Sequence, residues 1–348
     1  MSFNNKIIID LDNTITLESN KSYSDKDANN KIIKAIDLAR KSNEILIFSS
    51  RNMKTFKSDL EKINTITKPE AIKWLNKHNI FYDEIEFGKP WAGTNGWYVD
   101  DRNLSLDEFI FKFTGPFCDQ SFDLIIPFYN EEKNIINTYE NTLKLEKLLN
   151  IKSYIFINNG SHDKTKLLLK NIKELNNKVQ IIDIEKNIGY GNGIKAGLKK
   201  ADSDYVLINH SDNQFDAYNF ILTNMNDIKK IDAVIPIRLN RPIAERFFSF
   251  FLRLLMSIIS IKLIKDFNGQ PKILKLSKVR NISDLPDDFC IDYSFYRNFE
   301  DSYLHLPVIQ LNRKEGYSSW KGDIFKASSI FFKYIYFCIK FKKTKKEL

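Results

Sequence analysis

Short apolar runs alternating with helix-patterned stretches dominate the chain, and this rhythm restricts its fold more than any other feature. It begins with KIIID, continues through a helical pattern over Ala28 to Lys41, EILIFSS, a second helical pattern over Glu70 to Lys77, and GWYVDD. Strands and helices in that order build a parallel α/β sheet. The rhythm stops at FTGPFCDQ, punctuated by Gly115 and Pro116, and restarts at FDLIIPFYNEE. Gly and Pro together mark a break between elements. Beyond it, DLIIPFY, SYIFINNG, VQIIDIE, DYVLINH and DAVIPIR read as strands with helices between, and no repeat relates the two halves. One domain usually takes roughly 100 to 200 residues, and this chain has 348. Two α/β domains are therefore expected, residues 1–116 and 117–323, followed by a helix and basic tail over 324–348.

Composition removes several classes. With 43% hydrophobic and 28% charged residues, and only 12 Gly and 9 Pro, the chain is neither collagenous nor of low complexity. Cys118, Cys290 and Cys338 form no CxxC pair, which argues against a disulfide framework or zinc cluster and suits a reducing compartment. The start, MSFNNKIIIDLDNT, lacks the basic region and long apolar stretch of a secretory signal, so export is not expected. The two greasiest windows carry charge: Arg253 within Phe247 to Ile261, and Lys326, Lys333 and Lys340 within Phe325 to Phe341. Neither should span a bilayer. Both suit an interface instead. The formal charge is +9, and the last nine residues carry Lys340, Lys342, Lys343, Lys345 and Lys346 against Glu347. A basic tail behind an aromatic helix suits an anionic membrane surface, whereas nucleic-acid binders spread their cations over a folded face. The expectation is a cytoplasmic protein, peripheral on the cytoplasmic face of the membrane, with no nucleic-acid partner.

In the first half, Asp10 and Asp12 follow a strand, where parallel sheets place their ligands, and two carboxylates so spaced can share one cation. Downstream, Ser49 ends a second strand, FGKP presents Lys89, and WYVDDRN ends a third with Asp100 and Asp101. This ordered set over residues 5 to 112 resembles the haloacid dehalogenase (HAD) superfamily. The resemblance implies a Rossmann-like parallel sheet and Mg2+-dependent phosphomonoester hydrolysis. Asp10 would be the nucleophile, Asp12 the general acid and base, and Ser49 and Lys89 the phosphate ligands. Asp100 or Asp101 would complete a metal shell with Asp10 and Asp12. One helix fills the stretch between Asp12 and Ser49, leaving no room for a cap domain. Selectivity for a phosphorylated small molecule or sugar would then come from an oligomeric neighbour, a macromolecular substrate or the second domain.

In the second half, IIPFYNEEKNI, FINNGSHDKT, NIGYGNG, INHSDNQ and DFNGQPK resemble the family 2 glycosyltransferases of the GT-A fold, close to polyprenyl-phosphate sugar transferases. The resemblance implies metal-dependent inverting transfer from a nucleotide sugar to a glycan or polyprenyl-phosphate acceptor. Pro127, Tyr129 and Glu131 would face the nucleotide, with Asn159 near the base. Gly189, Gly191 and Gly193 would allow close approach of a diphosphate or packing against the strand. Where the family keeps a DxD motif this chain has His210 and Asp212, so Mg2+ or Mn2+ would rest on Asp212 with His210, unless His210 is a hydrogen-bonded strand end. Asp292 is the favoured base and Asp288 the runner-up, the two sharing a helix face at i, i+4 spacing. Arg313, in LNRKEGYSSW, is a candidate phosphate contact, and Trp320 reads as core. Two other readings are a phosphatase whose transferase half only binds nucleotide, and a membrane-attached glycan-binding scaffold with both sites inactive.

Overall fold

The computed structural model describes residues 5–92, 103–241, 243–261, 263–299, 302–313 and 324–344. The chain divides into two compact units, Met1–Cys118 and Asp119–Leu348.

Unit 1 runs β1 (Lys6–Ile9), α1 (Asn30–Ala39), β2 (Glu44–Ser49), α2 (Leu60–Lys62), α3 (Lys68–Lys77), β3 (Glu84–Phe87) and α4 (Leu106–Thr114). Among the described residues three strands pair in parallel in the order β1-β2-β3, with Ile9 opposite Ile47 and Ser49 opposite Phe87. The 3.6-residue period of α1 buries Ile32, Ala35, Ile36 and Ala39. These join Ile45 and Ile47 of β2 and Trp74 and Leu75 of α3 in one core. Helix α4 starts with a capping box in which Ser105 and Glu108 each accept from the other's backbone N–H. The strand expected at GWYVDD lies outside the described residues, as do Asp100 and Asp101.

Unit 2 opens with β4 (Ser121–Phe128), α5 (Ile135–Leu143), β5 (Asn150–Asn159), α6 (Thr165–Leu175), β6 (Val179–Ile184), α7 (Tyr190–Lys200) and β7 (Tyr205–Ile208). It continues with α8 (Ala217–Asn224), β8 (Ala233–Val234), β9 (Ile237–Leu239), α9 (Ile243–Ser260), β10 (Lys272–Lys275) and α10 (Cys290–Asn298). It ends with β11 (Tyr303–Leu304), β12 (Pro307–Ile309) and α11 (Ile324–Thr344). Seven strands pair in the order β11-β8-β10-β7-β4-β5-β6. The core strands β4 and β5 are buried almost throughout, as expected of strands covered on both faces.

One expectation changes. DAVIPIR is not one strand: it breaks into β8 and β9 at Pro236, which has no N–H to give a ladder. The sheet is mixed, because β10 runs antiparallel between β7 and β8.

Helix α11 is not a detached element. Tyr334 and Cys338 are buried in the core of unit 2 with Met256 of α9 and Tyr293 of α10. The Tyr334 hydroxyl donates to the Phe289 carbonyl at 2.8 Å, and Cys338 Sγ lies 3.1 Å from Ser260 Oγ. The expected separate segment 324–348 is corrected to a helix packed on α9 and α10, with Phe332, Tyr336 and Ile339 left exposed. Helix α9 is similarly two-faced: Leu252 and Met256 are buried, while Phe247, Phe250, Phe251, Leu254 and Ile258 face outward. Among the described residues no helix is long and apolar enough to cross a membrane.

Candidate functional sites

In unit 1 the ends of the three parallel strands gather the expected residues. Asp10 leaves β1, Ser49 closes β2 and Lys89 follows β3. Lys89 Nζ lies 3.2 Å from Asp10 Oδ1, and the Lys89 amide donates to the Ser49 carbonyl at 3.3 Å. Burial pushes the Asp10 carboxyl above its usual range, and the Lys89 charge opposes that rise. After Asp10 the backbone enters a tight turn in which Asn13 takes φ 60°, in the left-handed region that Asn tolerates.

Sequence reasoning missed Arg51. Its guanidinium grips Asp12 through both oxygens, Nε to Oδ2 at 3.0 Å and Nη2 to Oδ1 at 2.7 Å. Its own amide donates to Ser49 Oγ at 3.0 Å. A two-point fork of this kind fixes the plane of the carboxylate as well as its position. The only sequence signal was an arginine two residues beyond a strand-terminal serine. Both Asp12 oxygens are thus engaged, and Asp10 is the carboxylate left to meet a cation. Among the described residues no three His, Cys, Asp or Glu side chains converge as a metal cluster. The acidic pair that would complete the Mg2+ shell lies outside those residues.

In unit 2 the turn after β4 carries Tyr129, Asn130 and Glu131, and the Asn130 backbone takes φ 54°. The turn is pinned to the loop after β5: Asn130 N–H donates to Ser161 Oγ at 3.1 Å, and Glu131 N–H to Thr165 Oγ1 at 3.0 Å. Glu131 is buried; it accepts from Asn134 at 2.6 Å and pairs closely with Arg313. Arg313 Nη1 also lies 3.8 Å from Asp212 Oδ2. Arg313 therefore bridges Glu131 and Asp212, joining the turns after β4 and β7. Burial raises the Glu131 carboxyl, against the pull of Asn134 and Arg313.

The other expected residues divide. At the end of β5, Asn158 donates to Asp183 Oδ1 at 2.6 Å and Asn159 to the Gly189 carbonyl at 3.1 Å. Gly189 and Gly191 are needed for a different neighbour than a diphosphate. A Cβ at either position would come within 2.2 Å of the Asp287 or Pro286 carbonyl oxygen. The close approach these glycines permit is to the 286–288 backbone. His210 Nε2 is 3.2 Å from the Tyr190 hydroxyl, and its ring lies edge-on to Tyr190 and Phe215. Burial pushes its pKa down, against the charges of Asp212 and Asp292. Asp212 Oδ1 accepts the Gln214 N–H at 3.1 Å. With one carboxylate available, a cation here fits only if a bound diphosphate supplies most of its oxygens.

Asp288 and Asp292 do not share a helix face. Helix α10 begins at Cys290, and Asp288 sits before it, accepting the Cys290 N–H at 3.0 Å. Its side chain stays 35% exposed, 3.4 Å from Lys333 Nζ. Asp292 is buried, with Oδ1 2.9 Å from Lys272 Nζ, whose side chain has no exposure. Lys272 also donates to the Gly269 carbonyl at 2.9 Å. Burial lowers the Lys272 pKa and the Asp292 charge opposes that fall. Asp292, expected as the base, is therefore occupied inside the core. A second pair, Arg238 with Asp266, closes through Nε–Oδ2 at 2.8 Å and Nη2–Oδ1 at 2.9 Å. Beside it opens a cavity of about 870 Å³ walled by Arg238, Arg241, Arg246, Arg253, Phe247 and Phe250.

Comparison with known proteins bears on this second site. Residues 123–280, a little under half of the chain, match the model of glycosyl transferase family 2, so unit 2 carries a family 2 glycosyltransferase domain. The poly-beta-1,6-N-acetyl-D-glucosamine synthase of Staphylococcus aureus is 37% identical over 110 residues, 30% of this chain and 26% of that protein. An uncharacterized glycosyltransferase of Bacillus subtilis, YkcC, is 28% identical over 152 residues, 42% of this chain and 46% of its own length. The chain thus spans about a quarter to a half of the length of these relatives. Glucosyl-3-phosphoglycerate synthase from Mycobacterium tuberculosis, solved with Mn2+, UDP-glucose and phosphoglyceric acid, is 13% identical with a TM-score of 0.49, covering 69% of this chain and 83% of that one.

Removing one partner of a buried ion pair leaves the other charge uncompensated, at a cost of about 3–5 kcal/mol. Asp292→Asn should therefore lower the denaturant midpoint of unit 2 by a corresponding amount. Lys272→Met combined with Asp292→Leu should recover most of that loss. A midpoint unchanged in Asp292→Asn would mean that the pair does not hold the core.

Proposed function

We propose that unit 2 transfers a sugar, with inversion, from a nucleotide sugar to an acceptor presented at an anionic membrane, in the assembly of a cell-surface glycan. The observation that carries the reading is the Glu131–Arg313–Asp212 bridge at the carboxyl ends of β4 and β7, within a family 2 domain. In this reading Pro127, Tyr129 and Asn159 border the nucleoside. Arg313 faces the diphosphate, and Asp212 holds Mn2+ or Mg2+ together with diphosphate oxygens. The cation, when bound, neutralises charge on the leaving group. Asp288, reachable where Asp292 is not, takes the acceptor proton. The arginine-walled cavity beside α9 suits an acceptor phosphate, and the outward Phe247, Phe250 and Phe251 suit lipid. The rival reading, nucleotide binding without transfer, draws its support from the commitment of His210 to Tyr190 and of Asp292 to Lys272.

For unit 1 the reading is a capless HAD-type phosphohydrolase. Asp10 attacks phosphorus while Asp12, once one oxygen is released from the Arg51 fork and protonated, protonates the departing oxygen. Asp12 then takes a proton from the water that cleaves the aspartyl phosphate. Support comes from the Asp10–Lys89 pair, and from Ser49 and Asp12, all at the ends of neighbouring parallel strands.

Asp212→Ala should abolish metal-dependent binding of nucleotide sugars in titration calorimetry; unchanged binding would remove Asp212 from the site. Asp10→Asn should cut hydrolysis of p-nitrophenyl phosphate at least a hundredfold, and a variant keeping more than a tenth of the wild-type rate would exclude Asp10 as nucleophile. Phe250→Glu with Phe251→Glu should shift the chain off anionic vesicles in flotation, whereas equal partition would deny α9 a membrane role.

A further inference from the structure

We propose that the short excursion between β1 and α1, residues 17 to 27, is the substrate-reading element of unit 1. Through Lys26 it would select a phosphomonoester whose leaving group carries a second negative charge. The proposal rests on the phosphohydrolase reading of this site and names its substrate class.

The excursion is a closed structure. Thr16 and Ala28 form an antiparallel bridge, the Leu17 amide donates to the Asp27 carbonyl at 2.8 Å, and the Asn29 amide to the Ile15 carbonyl at 2.8 Å. Trp74 of α3 anchors it from the core, donating its indole N–H to the Lys26 carbonyl at 3.0 Å. It is therefore held in place beside the end of β1, and it turns two side chains toward Asp12 and its Arg51 partner. The Tyr23 ring lies 4.3 Å from the Arg51 guanidinium, within cation–π range. Lys26 Nζ lies 3.9 Å from Asp12 Oδ1 and 3.3 Å from Asn13 Oδ1.

The charges decide the substrate class. Arg51 is committed to both oxygens of Asp12, and Lys89 stands against Asp10, the side from which the phosphoryl group is attacked. Among the described residues Lys26 Nζ makes only these long contacts to Asp12 and Asn13 and one to the Tyr23 ring, 5.7 Å from its centroid. It sits beside Asp12, the acid for the departing oxygen, and so on the leaving-group side. Beside Asp12, Arg51 is matched by the carboxylate it forks and Lys26 is the second cation. A neutral leaving group would not use it. A carboxylate or a second phosphate would pair with Lys26, with the Tyr23 ring covering the carbon frame between the two anionic ends.

Titration calorimetry with the full chain carrying Asp10→Asn, in Mg2+, tests this without turnover. The ligands are glucose 6-phosphate, 6-phosphogluconate and glucose 1,6-bisphosphate. The second and third separate an added carboxylate from an added phosphate. At least one of them should bind tenfold or more tightly than glucose 6-phosphate. Adding Lys26→Ala should bring that ratio below two, and Lys26→Arg should keep most of it. Equal binding of all three, no binding of any, or a preference that survives Lys26→Ala overturns the proposal. The phosphohydrolase reading is judged separately, by the dependence of p-nitrophenyl phosphate hydrolysis on Asp10.

Discussion

The buried pair of Lys272 and Asp292 is the constraint around which unit 2 is arranged. Lys272 stands on β10, the antiparallel strand inserted between β7 and β8, and Asp292 lies in the first turn of α10. Two charges in a core are tolerable only when each meets the other and their remaining hydrogen-bonding capacity is filled. Lys272 fills part of its own through the Gly269 carbonyl, and its amide donates to Gln270 Oε1 at 3.2 Å. Gln270 in turn donates to the Tyr190 hydroxyl at 3.1 Å, which also meets His210. One ion pair thus fixes β10 against α10 and, through Gln270 and Tyr190, orients the imidazole at the end of β7. That chain accounts for the commitment of His210 to Tyr190 at the end of β7.

The two units solve a similar problem separately. Each gathers anion-handling groups at the carboxyl ends of parallel strands, where successive loops converge and backbone groups are not consumed by the ladder. In unit 1 a lysine and an arginine sit against two aspartates. In unit 2 one arginine spans a glutamate and an aspartate. Under the proposed function such prepaired charges would be held in place before a phosphate arrives, so that little reorganisation is needed.

Much of this arrangement was legible in the sequence. Asp10, Ser49 and Lys89 could be placed because each follows an apolar run whose end fixes where the side chain emerges. Glu131, Asp212 and Arg313 could be named but not joined, since the bridge depends on residues 182 apart in sequence for the Glu131–Arg313 contact. The face expected to be shared by Asp288 and Asp292 is absent because i, i+4 spacing implies one only inside a helix, and α10 starts two residues after Asp288. The glycines of NIGYGNG were left between a diphosphate and packing against the strand, because a need for a bare Cα does not reveal what approaches it; Gly193 meets Asn159 and Pro127, while Gly189 and Gly191 meet the 286–288 backbone. Arg51 and Lys26 carried no periodic signal: one lies just past β2 and the other in the excursion before α1, and only the fold brings both to Asp12.

The central claim is that unit 2 uses a cation on Asp212 to activate a nucleotide sugar. It is tested most directly by measuring nucleoside diphosphate release by the full chain from a panel of UDP-, GDP- and dTDP-sugars, with Mn2+ or Mg2+ and then with chelator. The account predicts slow release from at least one donor, lost on chelation. Absence of release from every donor in the presence of either metal, or release indifferent to chelator, would contradict it.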